Sequence, residues 1–295
     1  MTDTLLVPTD GSAPATVAAR HASLLAAGFD AEIHVLSVVP DGGAFHGVDD
    51  PGEAAEAAVE SATAELGDAS VTTAVREGAP AETIVEYADA AHADLIVMGT
   101  HGRTGVRRMV SGSVTEHVTR AAEVPVFTVR GDGETPAPAD YEDVLVPTDG
   151  SGCAEAAVDV ALDLATTFDA EIHVVSVVDV NTVAAQSELT NARLVLDELE
   201  AQAQAAVDRV ADRTRSRGLG GETAVLQGSP ASALMDYTEE NGVDVVVMGT
   251  HGRSGLGRFL LGSTTERLIR RASVPVMSVR PTREGRDERD ERDGE

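Results

Sequence analysis

The sequence predicts an α/β fold of two tandem doubly wound, Rossmann-like domains, each a five-stranded parallel sheet with helices on both faces. Two observations lead to this prediction. Short, continuously apolar runs alternate with stretches of helical spacing, which indicates a parallel sheet covered on both sides. The alternation occurs twice within 295 residues, a length that suits two domains of ordinary size.

Internal repetition defines the two halves. Four segments recur in the same order: VPTDGS at 7–12 and 146–151, DAEIHV at 30–35 and 169–174, VMGTHGR at 97–103 and 247–253, and VPV at 124–126 and 274–276. The separation between copies is larger for the later segments, so the second copy carries an insertion in its middle. We therefore predict domains at 1–131 and 142–281, a Pro- and Gly-rich linker at 132–141, and a disordered tail at 282–295.

Each element of the first repeat follows from local periodicity. The predicted strands are Thr4–Pro8, Glu32–Val39, Ser70–Val75, Asp94–Met98 and Val126–Val129, and the predicted helices are Ser12–Ala27, Pro51–Leu66, Ala81–Ala91 and Gly112–Ala121. The second repeat follows the same order, and a longer second helix from about Ser187 to Arg217 absorbs the insertion. Right-handed crossovers give a doubly wound sheet; the strand order 3-2-1-4-5 is assumed, since the sequence does not fix it.

The charge of the chain is strongly negative. Lys and Arg total 22, all of them Arg, against 50 Asp and Glu, for a net charge of −28. Such a surface repels nucleic acids and anionic membranes, because both are negative. The hydrophobic content of 42% argues against a disordered chain. The composition resembles that of halophilic proteins, so we predict a folded protein adapted to high salt.

The compartment is predicted from what the sequence lacks. The N-terminus has no basic start followed by an apolar stretch, and no apolar run approaches the length of a membrane span. Cys153 is the single cysteine, which excludes an intrachain disulfide. These features predict a cytoplasmic protein.

Two loops at strand ends carry the residues of a candidate ligand site. One is Pro8-Thr9-Asp10-Gly11-Ser12 after the first strand, and the other runs from Gly99 to Ser113 after the fourth. Ligands of doubly wound sheets bind outside the carboxyl ends of the strands. In the order 3-2-1-4-5 these two loops face each other across that crevice.

Glycine spacing marks the second loop as a candidate phosphate site. Gly99, Gly102 and Gly112 precede Ser113, and the twin in the second repeat is Gly249, Gly252, Gly262 and Ser263. Glycines permit positive φ and let a ligand approach the backbone. The last glycine lies where a helix begins, and the amides and dipole of a helix N-terminus favour a phosphate.

This loop is neither a P-loop nor a dinucleotide-binding fingerprint. The sequence contains neither the Gly-Lys-[Ser/Thr] of a P-loop nor a GxGxxG after the first strand. Without lysine, a phosphate cradle depends on backbone amides, a bound metal, or nearby arginines. The candidate arginines are Arg103, Arg107, Arg108, Arg253 and Arg258.

The combined motifs resemble the universal stress protein family. VPTDGS after the first strand, VMGTHGR after the fourth, the spacing G-x2-G-x9-G-[ST] and the closing VPV strand carry the resemblance, which covers nearly the whole chain twice. This spacing is similar to that of the ATP-binding branch of the family. The resemblance implies a five-stranded parallel sheet and an adenine nucleotide, ATP or a relative, with Mg²⁺ or Mn²⁺ on its phosphates.

The resemblance also implies roles for individual residues. Asp10 and Asp149, in the loops Pro8-Thr9-Asp10 and Pro147-Thr148-Asp149, would contact the ribose or adenine. The main chain near Val38 or Val39, and near Val177 or Val178, would read the adenine edge. Met98, Gly99, Met248 and Gly249 would line the nucleoside. The phosphates would be held by Gly102, Arg103, Gly112, Ser113 and Val114, and in the second repeat by Gly252, Arg253, Gly262, Ser263 and Thr264. Because residue 114 is Val and residue 264 is Thr, the two sites are not expected to bind equally.

Several of these residues have structural alternatives. Asp10 and Asp149 could cap the first helix of each repeat, a role for which Ser12 competes. Ser113 and Ser263 are expected to be N-caps with or without a phosphate, and Met98 and Met248 could be core residues.

The histidines and the cysteine are not interpreted as catalytic. His101 and His251 show no nucleophile or carboxylate partner in the sequence, so they are assigned to the loop, with phosphate contact as the alternative. The remaining residues are interpreted as structural. His34 and His173 lie in strands. Cys153 lies early in a helix without a basic neighbour.

Three functions remain open. The leading hypothesis is a stress or signalling protein whose conformation or partner affinity responds to ATP. The alternatives are a slow ATPase or other nucleotide hydrolase, for which no water-activating group is evident, and an interaction module with vestigial sites. The fifth strands Val126–Val129 and Val276–Val279 are predicted edges that would pair within the chain as a pseudo-dimer, and two chains could associate further.

Overall fold

The computed structural model describes residues 2–41, 50–100, 113–131, 139–180, 192–252 and 261–281. The predicted tail and most of the predicted linker lie outside these residues. By its internal contacts the chain divides into two compact units, Met1–Asp140 with Ile269–Met277 and Tyr141–Leu268 with Ser278–Glu295. Within the described residues, no helix combines the length and apolarity needed to cross a membrane.

The first repeat contains the nine predicted elements. They are β1 (Thr4–Pro8), α1 (Ala13–Phe29), β2 (Glu32–Pro40), α2 (Pro51–Ala64), β3 (Val71–Gly78), α3 (Pro80–Ala90), β4 (Leu95–Gly99), α4 (Ser113–Ala121) and β5 (Val126–Val129). The largest shift of a boundary is at β3, which continues to Gly78 rather than ending at Val75. The strand is longer because β2 also runs on to Pro40 and pairs with it in parallel to the end.

The second repeat has the same order of elements. They are β6 (Asp143–Pro147), α5 (Gly152–Phe168), β7 (Glu171–Asp179), α6 (Ala192–Ser216), β8 (Gly221–Gly228), α7 (Pro230–Glu240), β9 (Val245–Gly249), α8 (Ser263–Arg271) and β10 (Val276–Val279). The inserted residues extend α6, as predicted. The predicted start of that helix, at about Ser187, lies outside the described residues.

The strand order is the predicted one in each repeat. The first repeat runs β3-β2-β1-β4-β5 and the second β8-β7-β6-β9-β10. The pairs β1–β2, β1–β4, β4–β5 and β2–β3 are parallel, and so are β6–β7, β6–β9 and β7–β8. The carboxyl ends of β1, β2 and β4 therefore lie at one edge of the sheet, as do those of β6, β7 and β9.

The apolar strands are buried because helices cover both faces of the sheet. In the first repeat one face forms a cluster with α3 and α4: Leu6, Leu36, Val38, Ile96 and Met98 pack with Ala81, Ile84, Ala88 and Val118. The strand members of this cluster are two residues apart, as the alternation of side chains across a strand requires. On the other face, Gly99 of β4 packs against Pro14 at the start of α1.

Candidate functional site

A cleft of about 470 Å³ opens in the second repeat at the carboxyl ends of β6, β7 and β9. Its walls come from the two predicted loops, from β7, and from helices α6, α7 and α8. Every second-repeat residue predicted for the nucleotide lines it except Arg253, which lies outside the described residues. The lining residues that were predicted are Pro147, Thr148, Asp149, Val177, Val178, Met248, Gly249, Gly252, Gly262, Ser263 and Thr264.

The loop after β6 is held by hydrogen bonds of its own residues. The amide of Thr148 donates to the carbonyl of Val175, and the amide of Ser151 donates to Oδ1 of Asp149 at 2.9 Å. Gly150 adopts a φ of 75°, which glycine tolerates without strain. Asp149 therefore fixes the turn through Oδ1, and its Oδ2 faces Gly252.

The structure shows which residue caps the helix that follows each of these loops. Ser151 is the N-cap of α5, and its hydroxyl accepts a hydrogen bond from the amide of Ala154. Ser12 is the N-cap of α1, although its side chain makes no capping hydrogen bond. Asp10 and Asp149 are therefore not N-caps, because each lies two residues earlier and accepts from the amide of that serine.

The start of α8 differs from the sequence prediction in two respects. The carbonyl of Gly262 accepts the first helical hydrogen bond, from the amide of Glu266, so Gly262 is the N-cap and Ser263 is the first helical residue. The prediction that Ser263 is the N-cap is wrong. The amide of Gly262 donates to the carbonyl of Thr250 at 2.7 Å, so it serves the loop rather than a ligand.

The next amides of α8 remain available to a ligand. Ser263 and Thr264 have no intrahelical acceptor because they are the first two helical residues. Within the part of the chain that the structure describes, neither amide donates to another protein group. Both residues line the cleft, and Thr265 fixes the helix start by donating its hydroxyl to the carbonyl of Gly249.

The glycines of the second loop serve close packing rather than positive φ. None of Gly249, Gly252 and Gly262 has a positive φ. The prediction that these glycines are needed for a positive φ is therefore wrong. A Cβ at Gly249 would lie 2.8 Å from the carbonyl carbon of Cys153, and a Cβ at Gly262 would lie 3.2 Å from the carbonyl oxygen of Thr250. Glycine at these positions lets β9 approach α5 and lets the loop close on the helix.

The main chain of β7 offers hydrogen-bonding groups to the cleft. β6 ends at Pro147, opposite Val175, whereas β7 continues to Asp179 along β8. Val175 directs its carbonyl towards β6, so Val177, two residues on, directs its main-chain groups to the same side, beyond the end of β6. Of the alternatives Val177 and Val178, the geometry therefore favours Val177, and by the same argument Val38 over Val39.

The first repeat gathers its described candidates at the corresponding edge. Pro8 ends β1, and Thr9 and Asp10 follow it. Val38 and Val39 lie just before the end of β2 at Pro40, Met98 and Gly99 end β4, and Ser113 and Val114 begin α4. Thr115 donates its hydroxyl to the carbonyl of Gly99, as Thr265 does to Gly249. Outside the described residues lie the remaining candidates His101, Gly102, Arg103, Arg107, Arg108 and Gly112, and in the second repeat Arg253 and Arg258.

Several lining residues of the second cleft were not predicted. They are Ala154, Val175, Ser176, Asp179, Leu199, Ala203, Pro230, Leu234, His251 and Thr265. Ser176 lies two residues after the repeated DAEIHV segment, and Ser37 is the matching residue of the first copy, so the repeat contained a signal for it. Leu199 and Ala203 belong to the extended helix α6, and only the tertiary fold brings that helix over the cleft.

A serine hydroxyl of the first repeat is buried without a hydrogen bond to any described residue. This is Ser37 of β2, the counterpart of Ser176, which is 1% exposed. A buried hydroxyl without a partner costs free energy.

The expectation that Cys153 has no basic neighbour is wrong. The Sγ of Cys153 lies 3.1 Å from Nε2 of His251, and Nδ1 of the same ring lies 3.1 Å from Oγ1 of Thr250. The sequence could not show this pair because 98 positions separate its members. His251 is a cleft residue with a thiol partner, and Cys153 has a basic neighbour.

The strand histidines make the structural contacts expected of them. His173 is 4% exposed, and its ring bonds to Oη of Tyr237 at 3.0 Å and to Oδ1 of Asp143 at 2.8 Å. Burial, with the nearby carboxylates of Glu222 and Asp143, raises the pKa of Tyr237. His34 makes the corresponding bond to Tyr87 at 3.1 Å.

Comparison with known proteins gives a consistent result over the whole chain. A model described as the universal stress protein family matches residues 1–130 and 140–280. A universal stress protein of Methanocaldococcus jannaschii is 34% identical over 144 residues, which cover 49% of this chain and 85% of that protein. Another, of Mycolicibacterium smegmatis, is 28% identical over 303 residues, covering 94% and 97%. The crystal structure of a universal stress protein from Archaeoglobus fulgidus superposes with a TM-score of 0.70 at 23% identity, covering 96% and 98%.

Proposed function

The chain belongs to the universal stress protein family, and we propose that each of its repeats binds an adenine nucleotide, ATP in the first place. Membership in the family supports a general role in stress response. The cleft at the carboxyl ends of β6, β7 and β9 supports the site of the second repeat. The matching residues of the first repeat, where the structure describes them, support a site there by analogy.

The amides of Ser263 and Thr264 are the observation on which the proposal rests. They open into the cleft at the N-terminus of a nine-residue helix and have no acceptor among the described protein groups. The positive end of the helix dipole lies at the same place. Two amides and a dipole directed at one point are suited to an anion such as a phosphate.

The rest of the cleft suits a nucleoside. Val175, Leu199, Leu234 and Met248 provide apolar surface for a base. The main-chain groups of Val177 can bond the edge of that base, since β6 ends before reaching them. A volume of about 470 Å³ is within the range of small-molecule sites.

The two carboxylates of the cleft are suited to hydroxyl groups. Asp149 and Asp179 both line it, and a carboxylate accepts hydrogen bonds from hydroxyls such as those of ribose. The described part of the lining contains no Lys or Arg. A polyphosphate there needs a cation to offset its charge, and Mg²⁺ is commonly bound by substrate phosphates with few protein ligands. We therefore include Mg²⁺ or Mn²⁺, held on the phosphate oxygens.

The described residues of the first repeat support a second site there. Ser113 and Val114 begin α4 as Ser263 and Thr264 begin α8, and β1, β2 and β4 end at the same edge of the sheet. The sites differ at residues 114 and 264, where Val replaces Thr. Because Val offers no hydroxyl, we expect weaker phosphate binding in the first repeat.

A regulator is favoured over a hydrolase. Hydrolysis of ATP needs a group that activates water beside the γ-phosphate. The described histidine of the cleft, His251, has both ring nitrogens engaged, one by Cys153 and one by Thr250. We propose that ATP occupancy changes the conformation or the affinity for a partner, and the cytoplasmic location and the pairing of the fifth strands remain predictions.

Isothermal titration calorimetry in molar KCl with ATP and Mg²⁺ tests this function. We expect saturable binding, and we expect mass spectrometry of the purified native protein to detect an adenine nucleotide. No saturable heat would favour an interaction module with vestigial sites. Release of labelled phosphate from ATP well above background would favour the hydrolase.

A further inference from the structure

Three side chains at the edge of the second cleft form a chain of hydrogen bonds that nucleotide binding does not explain. Cys153 is the second residue of α5, and its Sγ lies 3.1 Å from Nε2 of His251. Nδ1 of His251 lies 3.1 Å from Oγ1 of Thr250. Cys153 and Thr250 are buried, at 5% and 3% exposure, whereas His251 is half-buried and lines the cleft.

The hydrogen-bonded series from Cys153 through His251 to Thr250 has the arrangement of an activated nucleophile. If the thiol of Cys153 donates to Nε2, then Nδ1 carries the ring proton and donates to Thr250, which fixes the tautomer and the orientation of the ring. A nucleophile, a base within hydrogen-bonding reach and a third group that orients the base form a recognised arrangement for activating a thiol.

The position of the sulfur in the fold suits a nucleophile. Cys153 lies in the first turn of α5, where the helix dipole favours a negative sulfur, and Nε2 of His251 lies within reach of its proton.

We propose that Cys153 is a modification site for hydrogen peroxide, with His251 as its base. The thiol gives its proton to Nε2, and the thiolate attacks one oxygen of the peroxide. The S–O bond forms as the O–O bond breaks, and the leaving hydroxide takes the proton from Nε2 and departs as water. Sulfur is oxidised by two electrons to a sulfenic acid, and the peroxide is reduced to water.

The size of the oxidant follows from the burial of the sulfur. Cys153 is 5% exposed and is not among the residues that line the cleft, whereas its partner His251 is. A small peroxide is therefore favoured over a bulky electrophile. An added oxygen would enter a tightly packed region, because the backbone of Cys153 already contacts Gly249. Oxidation should therefore displace the 250–252 segment that forms one wall of the cleft. The consequence for ATP binding rests on the proposed function.

The first repeat provides a matched control. Pro14 occupies the position of Cys153 there, and Cys153 is the single cysteine of the chain. Any thiol product therefore comes from one site. His251→Asn removes the base, whereas His101→Asn makes the same change in the first copy of the motif.

Peroxide oxidation of the full chain in molar KCl tests the proposal. Sulfenic acid is trapped with a 1,3-diketone reagent and counted by intact mass at pH 7. We expect His251→Asn to lower the rate by about tenfold, since an ordinary thiol is only a few per cent thiolate at that pH. His101→Asn should leave the rate unchanged. Equal rates in the wild type and His251→Asn would overturn the proposal.

A comparison within the wild type covers the case in which His251→Asn does not fold. At pH 6, the folded protein should react about tenfold faster than the same chain unfolded in guanidinium, because only the folded state has the base. A folded thiol that reacts no faster than the unfolded one would contradict the proposal. ATP with Mg²⁺ should slow the reaction by covering His251. If ATP fails to bind in calorimetry while the folded thiol still reacts rapidly, then the proposed function fails and the thiol site stands.

Discussion

Gly252 faces the carboxylate of Asp149 so closely that a Cβ on Gly252 would overlap Oδ2. The two residues come from different loops, one after β6 and the other after β9, and about a hundred positions separate them in the chain. Their approach shows that the two repeated motifs VPTDGS and VMGTHGR meet in space. A side chain at residue 252 would therefore displace a group that we assign to the ribose or adenine.

Replacing Gly252 with Ala should weaken ATP binding in the second repeat. The added methyl group would push the carboxylate of Asp149 out of position, and losing a hydrogen bond to a charged group costs about 2 kcal/mol, or roughly thirtyfold in affinity. Calorimetric titration with ATP and Mg²⁺ measures the change. Gly220→Ala is the control, because its Cβ would make an ordinary contact with Glu171 at 3.6 Å. Equal affinities of the two variants would contradict the role of Asp149.

Replacing Gly249 with Ala should destabilise the second unit. Its Cβ would lie 2.8 Å from the carbonyl carbon of Cys153, and backbone cannot move aside as a flexible side chain can. Overpacking of this kind costs about 1–3 kcal/mol. Gly99→Ala should have the same effect in the first unit, because its Cβ would lie 2.7 Å from the carbonyl carbon of Pro14. Denaturation by guanidinium gives the free energies, and a midpoint equal to that of Gly220→Ala would argue against close packing at these glycines.

His21 should make the first unit sensitive to acid. Burial lowers the pKa of His21 to about 4, and the ring is 4% exposed beside Phe127. Between pH 6.5 and 4 the imidazole is protonated in the unfolded chain and neutral in the folded one. The free energy of unfolding therefore decreases as the pH is lowered through this range. By about pH 4, this one group has lowered the free energy of unfolding by roughly 3 kcal/mol.

The matched variant is His21→Val, since the second repeat has Val160 at the same position. Free energies of unfolding measured at several pH values should show a smaller loss for this variant than for the wild type over that range. Parallel pH profiles would mean that His21 does not control the effect.

Tyr237 and Tyr87 make the same tyrosine–histidine hydrogen bond in the two repeats, and the histidine is more deeply buried in the second repeat than in the first. Tyr237→Phe leaves a nitrogen of the buried His173 without its 3.0 Å partner, and we expect a cost of about 1–2 kcal/mol. Tyr87→Phe should cost less, because His34 is half-buried and water can replace the lost group. Guanidinium denaturation of both variants is the measurement, and a larger loss for Tyr87→Phe would contradict this ranking.

The fold could be predicted from the sequence because local and global signals agree. Four strands of the first repeat are largely apolar runs between turn residues, and the repeated segments locate these four strands a second time. Strand β3 is more polar, with Thr72, Thr73 and Arg76. The longest deviation, in β3, arises because strand length depends on the neighbouring strand, and pairing with β2 carries β3 to Gly78.

The geometry of the site was only partly predictable. The glycine spacing indicated where the loop closes, and ligand-facing amides were expected at its last glycine. The structure uses the amide of Gly262 for Thr250 and leaves those of Ser263 and Thr264. The predicted and observed N-caps of α8 differ by one residue, and sequence periodicity does not locate the start of a helix that accurately.

The sequence predicted that two distant loops meet, but it did not predict which side chains of distant elements contact each other. The pairing of Cys153 with His251 depends on how α5 packs against β9, and the contribution of Leu199 to the cleft depends on the path of α6. Both follow from packing across the sheet, for which a single sequence has no local signal.

The amide of Ser263 offers the most direct test of nucleotide binding. Proline is well tolerated at the first position of a helix, so Ser263→Pro removes this N–H while preserving α8. Ser263→Ala removes the hydroxyl and retains the amide. We predict that calorimetry with ATP and Mg²⁺ will show an affinity of the second repeat at least about tenfold lower for Ser263→Pro than for Ser263→Ala, the cost of losing a hydrogen bond to a charged group. Equal ATP affinities of these two folded variants would contradict the assignment of the phosphates to the N-terminus of α8.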